Sequence, residues 1–287
     1  MALQYESNDL FAGGALAIAN HVANFAKKVR LVTVLGEKDS HENFIRSKLH
    51  SKIDPYFAIK DNAPTTIKRR FVEGYSINKL FEIYIMDDSG LSVEKENLLC
   101  DMLEKEIEEY DLILAADFGH GAIGNRTRNL LIKKAPFLAV NTQANAGNRG
   151  FHTISKYSRA DYVSLTEGEI RLEFRDIEGD IKPLIESLAD RLRGRYVAIT
   201  TGNRGCFIRN QGEKLVEVPA LAHKIVDRVG AGDTFFALTA LAACLSASPE
   251  LIGFLGNVVG GLAVGTLGNQ KSINRMNVEK FVTSLLK

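Results

Sequence analysis

Asp227-Arg228-Val229-Gly230-Ala231-Gly232-Asp233-Thr234 runs directly into FFALTALAACL (residues 235–245), an apolar stretch that no Gly or Pro interrupts. Two glycines flanking one alanine predict a tight turn, and the apolar run predicts a buried helix that starts there. The first N–H groups of a helix have no intrahelical partner, and glycine lets a ligand approach them closely. Such a helix mouth attracts phosphate. Asp233 falls in the first turn, where a carboxylate can take a proton from a nucleophile attacking that phosphate. Anion cradle and base together are the minimum equipment for phosphoryl transfer, although an Asp in the first turn of a helix also serves simple capping.

Outward from this stretch, strand and helix signals alternate. A small-residue helix, GGALAIANHVANFAKKV (13–29), leads into the strand RLVTVLG (30–36), and a second helix lies near HENFIRSKLH (41–50). YFAIK (56–60), TTIKRRFVEG (65–74) and KLFEIYIMDD (79–88) then read as successive short strands with turn residues between them. Alternation resumes with helix 93–110, strand DLILAAD (111–117), helix 125–134, strand FLAVNT (137–142), strand DYVSL (161–165), helix 181–193 and strand YVAITT (196–201). A hairpin, CFIRN (206–210) with KLVEVP (214–219), precedes an almost wholly helical end. Strands alternating with helices imply a mostly parallel sheet covered on both faces, a three-layer α/β/α fold. The run from about Asp54 to Asp88 predicts a small β insertion, a lid, on a single domain spanning residues 1–287.

Composition narrows the function class. The net charge of +1 gives no electrostatic case for nucleic acid or an anionic membrane surface, and no apolar run is long enough to span a bilayer. MALQYESNDL is neither a signal peptide nor a basic transit segment. Cys100, Cys206 and Cys244 stand far apart without metal-ligand spacing, which predicts buried free thiols in a reducing, cytoplasmic setting. The histidines form no helix-face pair, so no zinc site is expected.

Several glycine motifs compete with the opening one. Phe118-Gly119-His120-Gly121-Ala122-Ile123-Gly124 fits the dinucleotide pattern GxGxxG after a strand. The acidic residue expected after the next strand is missing, because FLAVNT ends in Asn141 and Thr142. A turn lining a cleft, with Asp117 facing substrate, is therefore the preferred reading over a nicotinamide site. No GxxxxGK[ST] occurs. Thr200-Thr201-Gly202-Asn203-Arg204-Gly205 is either a plain hairpin turn or a set of hydroxyls and amides touching a nucleotide. Gly260, Gly261, Gly265 and Gly268 predict close helix packing. Lys68, Arg69 and Arg70 form a basic run that is a solvated strand edge or, if it faces the cleft, a seat for an anionic sugar substituent.

Together these motifs resemble, over nearly the whole chain and in order, the ribokinase-like (PfkB) carbohydrate kinases. Gly13-Gly14 before a small-residue helix is similar to the N-terminal sugar-binding signature, the β insert to the lid, and Asp117-Phe118-Gly119-His120-Gly121 to the family's DYxKG stretch. Thr166-Glu167-Gly168-Glu169 falls where the family has NxxE, and DRVGAGDTF resembles its most specific signature. PTTIKRR (64–70) and NVVGGLAVGTLGNQKSI (257–273) resemble the heptose-phosphate kinases, including kinase domains fused to nucleotidyltransferases.

The resemblance implies an ATP-dependent phosphotransferase acting on a sugar or sugar phosphate. It implies Asp233 as general base, with Gly230, Ala231 and Gly232 as the anion hole. Thr201, Gly202, Asn257 and Gly261 would lie on the nucleotide side, and Gly13, Gly14, Asp117, Lys68 and Arg70 on the substrate side. Glu169 would hold Mg²⁺ through water, and Asp227 would help hold a monovalent cation such as K⁺. A homodimer through the lid and a fused nucleotidyltransferase domain are the implied partners.

The sequence also departs from the family pattern. Ala17 stands where the family carries an Asn, which removes one sugar hydrogen bond worth about 1 kcal/mol. Thr166 replaces the first residue of NxxE, Arg228 and Val229 replace small hydroxyl residues, and Asn141-Thr142-Gln143 stands in place of DPK. The family's first strand, which bears substrate-binding aspartates, is expected to be missing. These departures keep open the alternative of a catalytically impaired, nucleotide-binding or regulatory kinase-like domain.

Overall fold

The computed structural model describes residues 4–74, 79–145, 147–221 and 226–285. Its centre is a six-stranded sheet in the order β10-β9-β8-β7-β6-β5. The strands β5 (Ile113–Asp117), β6 (Leu138–Thr142), β7 (Tyr162–Thr166) and β8 (Tyr196–Thr200) run parallel. The last two, β9 (Cys206–Asn210) and β10 (Val216–Val218), add on antiparallel. This is the mostly parallel sheet that the alternating pattern predicts.

Side-chain alternation explains why both faces are covered. In β8, Val197 and Ile199 enter one apolar cluster while Tyr196 and Ala198 enter the other. In β6, Leu138 and Val140 face the first cluster and Ala139 the second. A strand buried on both faces needs such an unbroken apolar run. The first cluster is closed by α4 (Asn125–Lys134), α5 (Glu167–Phe174) and α6 (Ile181–Leu192), through Leu131, Ile170, Ile185 and Leu188. The second is closed by α1 (Ala15–Ala23), α7 (Ala231–Cys244) and α8 (Pro249–Val264), through Ile18, Val22, Phe236 and Ile252. Inside it, the Tyr162 hydroxyl meets Thr239 Oγ1 at 2.6 Å and the Tyr196 hydroxyl donates to the Ala247 carbonyl at 3.1 Å, so both buried phenol tips are satisfied.

Four local outcomes differ from the sequence expectation. The stretch from Asp54 to Asp88 divides between two sheets. Most of its first part lies in β2 (Ile53–Pro64), which pairs in parallel with β1 (Val29–Lys38), from Val29 opposite Ile53 onward. Only β3 (Ile67–Val72) and β4 (Lys79–Ile85) form a separate antiparallel hairpin. Residues 75–78 at its turn lie outside the described residues. A five-residue apolar run such as YFAIK does not declare its partner, and the α2 (Glu42–Lys48) crossover supplies a parallel one.

The second difference is in helix packing. Close approach in α8 falls on Gly256, where a Cβ would lie 2.2 Å from the Phe235 ring, while a Cβ on Gly260 would meet nothing. The third is α5, which the sequence reading did not expect. Thr166 caps it in a capping box: its hydroxyl accepts from Glu169 N, and the Glu169 carboxylate accepts from Thr166 N. The cysteines are free, as expected, but Cys244 is only half-buried.

Candidate functional site

A cavity of about 630 Å³ opens beyond the C-terminal end of β5, between the β3–β4 hairpin, the segment Asp9–Leu16 and the mouth of α7. Substrate-side residues expected from sequence come together here: Gly13, Gly14, Lys68, Arg70 and Asp117 line the cavity with Gly230, Gly232 and Asp233. Ala231, Thr201, Gly202, Asn257, Gly261, Glu169 and Asp227 do not line it.

The α7 mouth is made by Gly230, whose φ of 80° lies in the left-handed region. A side chain there would be strained and would also strike Asn269, because a Cβ would lie 2.3 Å from its amide oxygen. A Cβ on Gly232 would meet nothing within 4 Å. The Gly232 amide is thus open to a ligand and the helix dipole favours an anion, whereas the Ala231 N–H, expected in the same anion hole, donates to the Arg228 carbonyl at 3.5 Å. Asp233 has no side-chain hydrogen-bond partner among the described residues. Its carboxyl is raised to about 6, chiefly by burial and in small part by the charge of Glu169, against the opposing pull of Lys68 and Arg70.

The opposite wall is the hairpin. Lys68 stands opposite Tyr84, and Arg70 opposite Glu82, on the face turned to the cavity. Arg70 and Lys79 pair with Glu82, and the Lys68 ammonium lies 5.2 Å from the centre of the Tyr84 ring. Burial, then the charge of Arg70, holds the Lys68 ammonium below its usual range, against Glu82 and Asp233.

Between these walls lies the turn after β5. Gly119 and Gly121 both have positive φ, and a Cβ on Gly121 would lie 1.9 Å from the Ser89 carbonyl oxygen. Asp117 is buried and fully engaged. Gly119 N and His152 Nε2 each lie 3.2 Å from Oδ1, and the Tyr157 hydroxyl donates to Oδ2 at 2.9 Å. Burial works to raise this carboxyl, but those partners outweigh it and hold it below the usual carboxylate range. Lys156 Nζ lies 2.9 Å from His152 Nδ1 and continues the network outward.

His120 on the same turn is the main functional candidate the sequence reading did not single out. Both its ring nitrogens are buried without a partner, and burial followed by Lys68 pushes the imidazole down to about 4. Its position inside the GxGxxG pattern was the available signal. His152 and Tyr157 gave none, since folding alone brings them to Asp117.

The remaining expected residues form separate groups. Thr201 and Gly202 sit at the turn after β8, where Thr201 Oγ1 donates to the Gly205 carbonyl at 3.0 Å and Gly202 has φ 65° with open space around it. Asn257 spends its amide nitrogen on the Val218 and Pro219 carbonyls at 3.0 and 2.9 Å, so it ties α8 to the end of β10. Gly261 is half-buried one turn further along α8. Asp227 accepts from Val229 N at 3.0 Å and Gly268 N at 2.9 Å, joining the turn before α7 to the loop after α8. Among the described residues, no group of three or more His, Cys, Asp or Glu could hold a metal ion directly. Ala17 lines a second cavity, of about 410 Å³, rather than this one.

A turn of small residues delivering an open helix mouth and an adjacent carboxylate matches a known family. The pfkB family carbohydrate kinase model matches residues 6–276. The chain belongs to the pfkB carbohydrate kinase family. Members of this family are phosphotransferases, so the catalytic class expected from the GAGD stretch stands. The bifunctional protein HldE of Pseudomonas aeruginosa is 26% identical over 273 residues, covering 93% of this chain and 54% of that protein. The chain thus spans about half the length of the curated relatives it matches.

Two solved structures share the fold. The Arabidopsis thaliana ribokinase complexed with ribose and ATP superposes with TM-score 0.73 at 17% identity, over 98% of this chain and 90% of that one. The Escherichia coli phosphofructokinase-2 in complex with fructose-6-phosphate does so with TM-score 0.73 at 14% identity, over 99% and 93%. Among the described residues, no helix is long and apolar enough to cross a membrane.

Proposed function

We propose that this chain transfers a phosphoryl group from ATP to a hydroxyl of a phosphate-bearing sugar, a heptose phosphate being the substrate suggested by its similarity to HldE. The observation that carries this reading is the unpartnered Asp233 carboxylate in the first turn of α7, facing Lys68 and Arg70 across one cavity. A carboxyl raised to about 6 is still largely ionised at neutral pH and is a stronger base than an ordinary aspartate. It takes the proton of the acceptor hydroxyl. The Gly232 N–H stabilises the charge that develops as the phosphoryl group arrives. Lys68 and Arg70 hold the substrate's own phosphate, and the neutral His120 ring offers a donor or acceptor to a sugar hydroxyl.

ATP supplies the phosphoryl group when bound. Gly202, with left-handed φ and open space, fits a phosphate or ribose at the turn after β8. Asn257 has no amide hydrogens to spare, so its carbonyl oxygen alone can serve adenine. Glu169 accepts from Thr166 N, Thr166 Oγ1 and Ala144 N. A carboxylate has about four lone-pair directions, which leaves room for one water and hence for an outer contact to Mg²⁺. Asp227 likewise keeps spare lone pairs for K⁺ beside the Gly268 loop.

The hairpin's far face supports the dimer. Phe71 and Phe81 stack at 4.5 Å, and Phe81 and Ile83 are 40% and 45% exposed on the face turned away from the cavity. We read this face as the contact of a homodimer, and light scattering that shows only monomer would reject it. The fused nucleotidyltransferase domain belongs to the same proposal, and the full reading frame of the gene tests it.

A coupled ADP-release assay over pentoses, hexoses, nucleosides and sugar phosphates, with ATP and Mg²⁺, tests the catalytic reading. Turnover with a phosphate-bearing sugar is expected. ATP binding by calorimetry without turnover on any acceptor would favour the alternative, a nucleotide-binding kinase-like module, for which the displacement of Ala17 to the second cavity is the supporting observation.

A further inference from the structure

A buried histidine that the reaction does not touch links three distant segments to the α7 mouth. His21 is 4% exposed in α1. Its Nδ1 accepts from the backbone N–H of Ile273 at 3.0 Å. Burial holds the imidazole at about 4, so the ring is neutral at physiological pH. With Nδ1 accepting, the single ring proton resides on Nε2, which donates to Thr234 Oγ1 at 3.1 Å. The Thr234 hydroxyl in turn donates to the Gly230 carbonyl at 2.9 Å. Thr234 N donates to that same carbonyl, also at 2.9 Å. Donors therefore point one way, from the segment before α9 (Arg275–Leu285), through α1, into the left-handed residue that opens the anion-binding turn.

The residue type fits this arrangement closely. A neutral imidazole accepts at one edge and donates at the other, so it spans two partners on opposite sides. Asn and Gln carry acceptor and donor on one carbon and cannot replace it in line. Rotation of the Gly230 peptide would re-aim the neighbouring amides, and an ångström of misplacement at such a group is costly to transfer chemistry.

We propose that His21 is a positioning residue for phosphoryl transfer: through Thr234 it fixes the Gly230 peptide, and with it the Ala231 and Gly232 amides and the Asp233 carboxylate. This rests on reading the cavity as a phosphotransfer site. The competing role is packing alone, because His21 also fills space among Ala17, Ile18 and Val22 of its own helix. A packing residue affects stability, but it has no need of a ring that donates.

The structure offers a way to separate the two. His21 lines the second cavity, with Asn20, Lys48, His50 and residues 269–272, so a small aromatic ring can reach its place from solvent. His21→Ala is expected to lower kcat about tenfold, the worth of roughly one net hydrogen bond, with KM for ATP and acceptor little changed. Imidazole added to this variant restores most of the lost turnover. Thiazole, a ring of similar size with no N–H, does not.

Thr234→Val shows the same loss without rescue by imidazole, and Thr234→Ser recovers most of what Thr234→Val loses. A second readout does not depend on turnover: the Gly232 and Thr234 amide resonances shift in His21→Ala and return with imidazole but not with thiazole. An unchanged kcat in folded His21→Ala, or equal rescue by thiazole, overturns the proposal. If the wild type phosphorylates no acceptor, the functional reading fails by itself. Amide resonances that do not move in either variant would then overturn the relay.

Discussion

The two walls of the main cavity are built in opposite ways. The α7 wall carries Asp233, the one charged residue of that helix, just ahead of Thr234, Phe235 and Phe236 buried in the core, with Arg228 lining the cavity from the preceding turn. The hairpin wall carries Lys68 and Arg70 on a two-stranded sheet that exposes Val72, Leu80, Phe81 and Ile83. The first wall is placed by packing and can hold a reacting group to within tenths of an ångström. The second is placed mainly by its own cross-strand pairs, which suits a group that need only supply charge to a substrate. The two are coupled, because Lys68 and Arg70 lower the Asp233 pKa that burial raises. The account therefore assigns chemistry to one wall and recognition to the other.

The comparison can be broken at its strongest point first. Asp233→Asn should lower kcat by about 10²–10⁴ while leaving ATP binding intact, as measured by steady-state turnover and calorimetry. Unchanged turnover would remove Asp233 from the reaction. Next, because the base must be ionised, wild-type activity should fall as pH drops through about 6. Replacing Lys68 by Met removes a charge that favours the ionised form, so this acidic limb should move to higher pH. A limb that stays in place would uncouple the walls.

The smallest effect is on stability. The folded pKa of Asp233 lies above its ordinary 3.8, so the stability this group contributes is complete below about that pH and is lost as pH rises through about 6. Asp233→Asn should match the wild type below about pH 4 and exceed it above pH 6, by about 3 kcal/mol at most, or several degrees in Tm. A melting series that shows no pH dependence in the difference would contradict the burial of this carboxyl.

How much of this was legible in the sequence follows the same division. The parallel sheet, the helix mouth and Asp233 were readable because their signals are local: apolar runs of strand length, and a small-residue turn before an uninterrupted helix. α5 was readable too, since Thr166-Glu167-Gly168-Glu169 has capping-box spacing. The partner of β2 was not readable, because register depends on which edge is free after folding. Nor were the pairings of Asp117 with His152 and Tyr157, 35 and 40 residues away, or the spending of Asn257 on two carbonyls at the end of β10. Such contacts are set by chain crossings that no spacing encodes. Gly253 and Gly256, rather than Gly260, meet their neighbours closely because α8 turns that face towards β9, β10 and α7.

The most direct test of the division between the walls is the ratio of kcat/KM for a sugar phosphate to that for the same sugar without phosphate, measured in the wild type and in Lys68→Ala/Arg70→Ala. The account predicts a strong preference for the phosphorylated acceptor in the wild type, and its collapse, by about tenfold or more, in the double variant as KM rises. An equal preference in both proteins would contradict it.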